Sequence, residues 1–211
     1  MSIVTVLPER SHDGHVAARG LIGDDMALSF RFANEVDIPA LLKLRLAVDA
    51  DQALRFGNNG WSTAISETSV ARGLRSPSRV LVATRHGRII GALRMDTRKP
   101  WAIDLKHFKP VGEAVYLHDV NVDPPVQQSG VGRQLIERAK AVAREWPVDA
   151  IRLDAYDGPS GGGSFYRKCG FIEVGRLVYR GVPLVYFEFA LRADQSGTTR
   201  RGRPLWSHRH G

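Results

Sequence analysis

The chain has 211 residues, 43% of them hydrophobic, and a formal net charge of +8, which fits one globular domain with tails at roughly 100–200 residues per domain. No apolar run approaches the roughly 18–20 residues of a membrane span, and Met1 to Glu9 lacks the cationic start of a signal peptide. The single cysteine, Cys169, excludes an intrachain disulfide and a multi-cysteine metal site, so a cytoplasmic protein is expected.

Residues 1–27 show no sustained periodicity and read as a disordered, mildly acidic arm. Leu28 to Ala33 then reads as a strand. Asn34 looks like an N-cap, Pro39 falls in a first helical turn, and Ile38, Leu41, Leu42 and Leu46 supply an apolar stripe. A weaker helix is expected from Trp61 to Arg75, closed by Pro77. Arg79–Thr84 and Arg88–Met95 read as strands around His86-Gly87, a hairpin signal. Residues 97–112 form a long connection. Ala114 to Val122 is a strongly apolar strand. Val131, Leu135, Ile136, Ala139, Val142, Ala143 and Trp146 make one face of a helix that stops at Pro147. Ala150–Tyr156 is a strand, and a short helix around Ser164–Lys168 ends at Gly170, a good C-cap residue. Phe171–Val178 and Leu184–Leu191 close the body with a hairpin around Arg180-Gly181-Val182-Pro183. The alternation predicts a mixed α/β sheet over residues 28–194. Residues 195–211, with Arg200, Arg201, Arg203 and Arg209 and no acid, read as a disordered basic tail.

The sharpest local feature is Val120-Asn121-Val122-Asp123-Pro124-Pro125 followed by Gln127-Gln128-Ser129-Gly130-Val131-Gly132-Arg133, opening a helix. A strand feeding a glycine loop and a helix N-terminus presents backbone amides and positive helix potential to an anion. The loop lacks the lysine of a P-loop. Leu135 stands where a dinucleotide fingerprint needs its third glycine, and Tyr166 does the same after Gly161-Gly162-Gly163. On spacing alone, the glycines could equally serve only the turn into the helix.

Two segments together resemble the GNAT superfamily of N-acetyltransferases. Gln127, Gly130 and Gly132 fit the pyrophosphate-loop pattern [QR]-x-x-G-x-[GA], and Phe165-Tyr166-Arg167-Lys168-Cys169-Gly170-Phe171 resembles the F-Y-x-x-x-G-F segment, with one strand between them. The resemblance runs from about Ala114 to Leu191. It implies a GNAT-like acyl-CoA N-acyltransferase fold, in which the strand 114–122 is bulged and splayed from the strand 150–156. Acetyl-CoA is then the expected co-substrate. Its pantetheine arm would pair with backbone near Val120, Asn121 and Val122, and its pyrophosphate would lie on Gln127, Gln128, Ser129, Gly130, Val131, Gly132 and Arg133. Many relatives have asparagine where this chain has Ser160, which can still hydrogen-bond the cofactor.

Acetyl transfer to an alkyl amine, with a reference pKa of ~10.4, requires removal of a proton. It also requires a donor to the carbonyl oxygen, for which the resemblance implies the Val120 amide. Tyr166 is the expected acid for the leaving thiolate and also a cofactor contact. His118 and Asp119 are the polar breaks in an apolar strand and the candidate bases, with Glu113 a weaker one and water an alternative. Cys169 is expected to pack, and His208 and His210 to be solvated, so no metal is expected. Trp61, Trp101 and Tyr186 could wall an amine site, and Asp49, Asp51 and Glu67 could attract a cation. The acceptor stays open among a metabolite, an amine antibiotic and a protein amine. A non-catalytic acyl-CoA-binding regulatory module is the alternative function. Nucleic acid would meet the tail only through salt-sensitive, non-specific contact and is not an expected partner. A homodimer is left open.

Overall fold

The computed structural model describes residues 28–57 and 65–192. The two predicted tails, Trp61 and the terminal histidines lie outside the described residues. Seven strands form one mixed sheet: β1 Ser29–Phe32, β2 Arg79–Arg85, β3 Arg88–Asp96, β4 Ala114–Val122, β5 Ala150–Tyr156, β6 Ile172–Tyr179 and β7 Val182–Ala190. Their spatial order is β1-β2-β3-β4-β5-β7-β6. Neighbours run antiparallel except β4 and β5, which are parallel. Helices α1 Ile38–Phe56, α2 Glu67–Gly73, α3 Val131–Arg144 and α4 Gly163–Lys168 occupy the positions expected in chain order.

Two type I′-like turns set the hairpin registers. His86 and Gly87 have φ +50° and +73°, and Arg180 and Gly181 have φ +51° and +83°. Left-handed backbone at both central residues matches the twist of the flanking strands. The second turn therefore needs only Arg180-Gly181. Val182 and Pro183, expected in the turn, already belong to β7.

Alternation along β2 separates the two faces of the sheet. Leu81 and Ala83 join the larger core, in which α3 presents Val131, Leu135, Ile136, Ala139, Val142 and Ala143, as expected, while Trp146 is only partly buried. Val82 points the other way, toward Leu41, Leu44 and Val48 of α1. The stripe predicted for α1 is corrected here: Leu46 is exposed, and Leu44 and Val48 take the buried positions. Asn34 does cap, but it caps a 3-10 turn, Glu35–Asp37, that runs into α1. Its side chain accepts from the Val36 amide while Asp37 accepts from the Asn34 amide at 2.9 Å. Helix α2 is shorter than expected because a reciprocal cap between Ser66 and Ser69 starts it late.

A third cluster covers the α1 face of β4, β5 and β7 with Ala102, Ile103 and Phe108 from the 97–112 connection. Tyr186 fixes that connection. Its hydroxyl donates to the Ala102 carbonyl and accepts from the Asp104 amide at 3.3 Å. Trp101 stays 84% exposed.

Candidate active site

Strand β4 carries the bulge. Arg94 faces His118 and Ala92 faces Asn121, so one residue of β3 opposes two of β4, Asp119 and Val120. Asp119 sits at φ +49°, left-handed backbone that a non-glycine residue adopts only when its surroundings impose it. The Asn121 amide group fastens the kink by donating to the Asp119 carbonyl at 2.7 Å. The extra residue reverses the alternation. Val115 and Leu117 lie in the α3-side core before the bulge, and Val120 and Val122 join the same core after it. Val120 and Val122 can therefore offer a ligand only their backbone.

Past Tyr116 no strand among the described residues pairs with β4 on its β5 side. The parallel pairing covers Ala114, Val115 and Tyr116 opposite Ala150, Ile151 and Arg152, and then ends. β5 continues along β7 to Tyr156. The two strands part into a wedge beside Leu117–Val122.

At the mouth of that wedge the loop from β4 turns into α3. Gln127 donates its side-chain amide to the Val122 carbonyl at 3.1 Å, and Ser129 donates to the Val126 carbonyl at 2.7 Å. Gln128 (φ +63°) and Gly130 (φ +86°) take left-handed backbone, and the first helical bond runs from the Gln134 amide to the Gly130 carbonyl. No backbone carbonyl of the described residues accepts from the amides of Gln128, Ser129, Gly130, Val131, Gly132 or Arg133. A run of free amides at a helix N-terminus is a site for an anion, where helix potential adds to hydrogen bonding. Gly130 is exposed, and a Cβ there would meet the Gln134 side-chain amide at 4.0 Å, whereas a Cβ on Gly132 would lie 3.4 Å from both Phe165 and Val122. Gly132 thus lets α3 seat against the second sequence segment, which joins the two motifs in space.

Tyr166, on α4, is fully buried among Phe165, Phe171 and Phe187, with ring centroids 5.4–5.6 Å apart. Its hydroxyl has no hydrogen-bond partner among the described residues. Burial, followed by the charge of Asp154, pushes its pKa well above the usual phenol value, so it stays protonated. Ser160 is buried in the turn before α4. The orphaned hydroxyl and the orphaned amides fit a thioester carrying a pyrophosphate.

The polar residues of β4 lie on the α1 face. His118 is buried. Burial first, and then the Arg94 guanidinium, hold its imidazole down to about 3, so it is neutral. Asp119 meets Arg45 of α1 at 2.7 Å and Arg94 of β3 at 3.4 Å. Burial pulls its carboxyl upward, but the two guanidiniums outweigh this and the net direction is down. Glu113 stands before β4, six residues from Asp119, roughly 20 Å away along an extended strand. Asp51 is bound to Arg55 at 2.8 Å. Cys169 is buried and its thiol is raised to about 11, chiefly by burial, which suits packing. Arg45 and Arg94 were not singled out from sequence. Each is an isolated arginine in an ordinary helix or strand, and only the tertiary fold brings them to Asp119.

Residues 76–173 match the family model of the acetyltransferase (GNAT) domain. Solved structures with the same fold include ribosomal-protein-alanine N-acetyltransferase from Brucella melitensis, at 24% identity and a TM-score of 0.58, covering 77% of this chain and 99% of that one. The ribosomal-protein-S18-alanine N-acetyltransferase from Escherichia coli is similar at 14% identity and a TM-score of 0.60, covering 82% and 99%. An aminoglycoside 6'-N-acetyltransferase complexed with coenzyme A is similar at 14% identity and a TM-score of 0.59, covering 80% and 98%. No curated protein matches the sequence. The bulged strand, the wedge and the loop are thus those of a GNAT acyltransferase fold. Residues 76–173 are similar to the acetyltransferase (GNAT) domain, and the sheet around them has that fold.

Proposed function

We propose that the protein is an acetyl-CoA-dependent N-acetyltransferase that acetylates a primary amine by direct attack in a ternary complex, with residues 28–194 as its catalytic domain. The observation that carries this reading is the run of free amides from Gln128 to Arg133 at the mouth of the wedge between β4 and β5. The family match and the coenzyme A complex of a similar structure support it.

Acetyl-CoA supplies the activated acetyl group. The loop amides hold its pyrophosphate, with Arg133 adding charge and Ser160 a polar contact. The backbone of Val120, Asn121 and Val122 aligns its extended arm, and the Val120 amide donates to the carbonyl oxygen. The acceptor nitrogen bonds to the acetyl carbon as the carbon–sulfur bond breaks. Tyr166 gives its proton to the departing sulfur, a role supported by its buried hydroxyl having no partner among the described residues. The amine's proton leaves through water on the α1 face. Asp119, ionised and a quarter exposed, is the better relay. His118, neutral down to about 3, is a poor acceptor at ordinary pH.

The rival reading, a non-catalytic acyl-CoA sensor, draws support from the tight pairing of Asp119 and the low basicity of His118. Acetyl-CoA should raise the melting temperature of the wild type through binding to the folded state, and a panel of amines should release free thiol. Gly130→Asp, which sets a carboxylate beside the loop amides, should fold yet show no such rise. An unchanged rise in that variant places the anion elsewhere, and binding without turnover on any amine favours the sensor.

A further inference from the structure

The α1 face of the sheet has two separate apolar clusters, one beneath α1 and one beneath the 97–112 connection. Arg94, His118 and Asp119 lie between them, on the stretch of β3 and β4 beside the wedge. This polar gap is rich in cationic donors. Arg45 and Arg94 share one carboxylate, that of Asp119, and their side chains are 19% and 25% exposed. The Nε atoms of both arginines are buried without a hydrogen-bond partner among the described residues. A buried guanidinium N–H without an acceptor is costly, and a planar carboxylate is the acceptor that best fits a guanidinium fork.

Three of the neighbouring groups do not cancel the surplus. His118 is neutral. Asp96 is held by the Ser78 hydroxyl, the Arg98 amide and the Arg98 guanidinium. Asp51 is paired with Arg55. Gly73 keeps α2 close over Arg94, since a Cβ there would sit 3.4 Å from the Arg94 side chain. The Arg94 side chain is therefore held by α2 as well as by Asp119, beside the point where the acetyl group would be presented.

We infer that the acceptor carries a carboxylate of its own, close to its amine, which Arg45 and Arg94 bind across the bulge. This rests on the N-acetyltransferase reading above and narrows its substrate to acidic or zwitterionic amines. Free amino acids are the smallest members of that class. A polycationic amine would instead meet like charge at the site, which disfavours it.

The test compares acetyl transfer to L-amino acids with transfer to their primary carboxamides, which keep the amine and lose the anion. The expected result is that at least one acid exceeds its carboxamide in kcat/KM by about tenfold or more, the range of one charge-assisted hydrogen bond. In Arg45→Gln that ratio should fall toward one, and Arg45→Lys should keep part of it, while the affinity for acetyl-CoA measured by calorimetry stays at the wild-type level. Carboxamides or spermidine used as well as the acids, turnover of no member of either set, or an acid preference that survives Arg45→Gln and Arg94→Gln would each overturn the inference. The wild-type comparison needs no variant to fold. Calorimetry separates the two readings: intact acetyl-CoA binding with no acid preference defeats this inference alone, and absent binding defeats both.

Discussion

Tyr166→Phe should make the protein more stable and less active. The Tyr166 hydroxyl is fully buried without a partner among the described residues, and the ring is held by three phenylalanines. Burying an unsatisfied hydroxyl costs about 1–3 kcal/mol. Phenylalanine removes that cost while keeping every ring contact. Taking the low end, the ligand-free variant gains about 1 kcal/mol, which in a chain of this size raises the melting temperature by about 2–4 °C. The hydroxyl's use would come only in the reaction. Losing a positioned acid should lower kcat roughly 10²-fold, or about 2.7 kcal/mol of barrier, with acetyl-CoA affinity unchanged. The loss should shrink with a donor whose leaving thiol is more acidic. The assay pairs thermal unfolding of the ligand-free proteins with single-turnover acetyl transfer from both donors. A lower melting temperature with a wild-type rate would show that the hydroxyl is a satisfied structural group, and the acid role would fall.

Two further outcomes follow from the charges. His118 is held down to about 3, below its unfolded value near 6.5, so the unfolded state binds a proton first as the pH drops and stability is lost from about pH 6.5 toward 3. Between about pH 7.5 and about pH 5 this amounts to roughly 2 kcal/mol. Urea unfolding of wild type and His118→Gln at both values should show a steeper loss in the wild type, and parallel losses would refute the buried neutral imidazole. Arg152 and Glu188 form a largely buried pair at 2.8 Å, with Arg152 also donating to the Lys109 carbonyl and lying over Phe108. Glu188→Ala leaves that guanidinium uncompensated and should cost about 3 kcal/mol by chemical denaturation. A cost under about 1 kcal/mol would mean that water already shares the charge.

Much of the sheet was legible because its strands alternate cleanly and its turns carry their own chemistry. The limits of β4 and β5 agree between sequence and structure, and His86-Gly87 and Arg180-Gly181 mark their hairpins. The α3 face was equally plain, since its apolar residues repeat at helical spacing. Helix α1 was harder. Its leucines surround much of the cylinder, and only the packing of Val82 and Ala92 decides that Leu44 is buried and Leu46 is not. At the site, the glycine loop announced itself by local chemistry. The environment of Asp119 did not, because its two arginines come from α1 and β3, far apart in the chain. The bulge was expected only through resemblance, and no residue in Tyr116–Val122 signals by itself that Asp119 takes left-handed backbone.

An open sheet ordinarily ends in two unsatisfied rims, and β1 and β6 are those rims here. Where β4 parts from β5, a further rim opens inside the sheet. Outer rims are commonly protected by charge or irregularity, and β6 has both, with Arg176 and a register shift between Glu173 and Gly175. The inner rim of β4, His118 to Val122, has a charge of its own in Asp119 and an irregularity of its own in the bulge. Depth adds to that protection: α3 packs on one face and α1 on the other. A slim extended molecule can reach that backbone, whereas the rim of a second sheet, about 10 Å thick with its side chains, cannot enter. The same recess that exposes hydrogen-bonding backbone for use also keeps it from seeding aggregation.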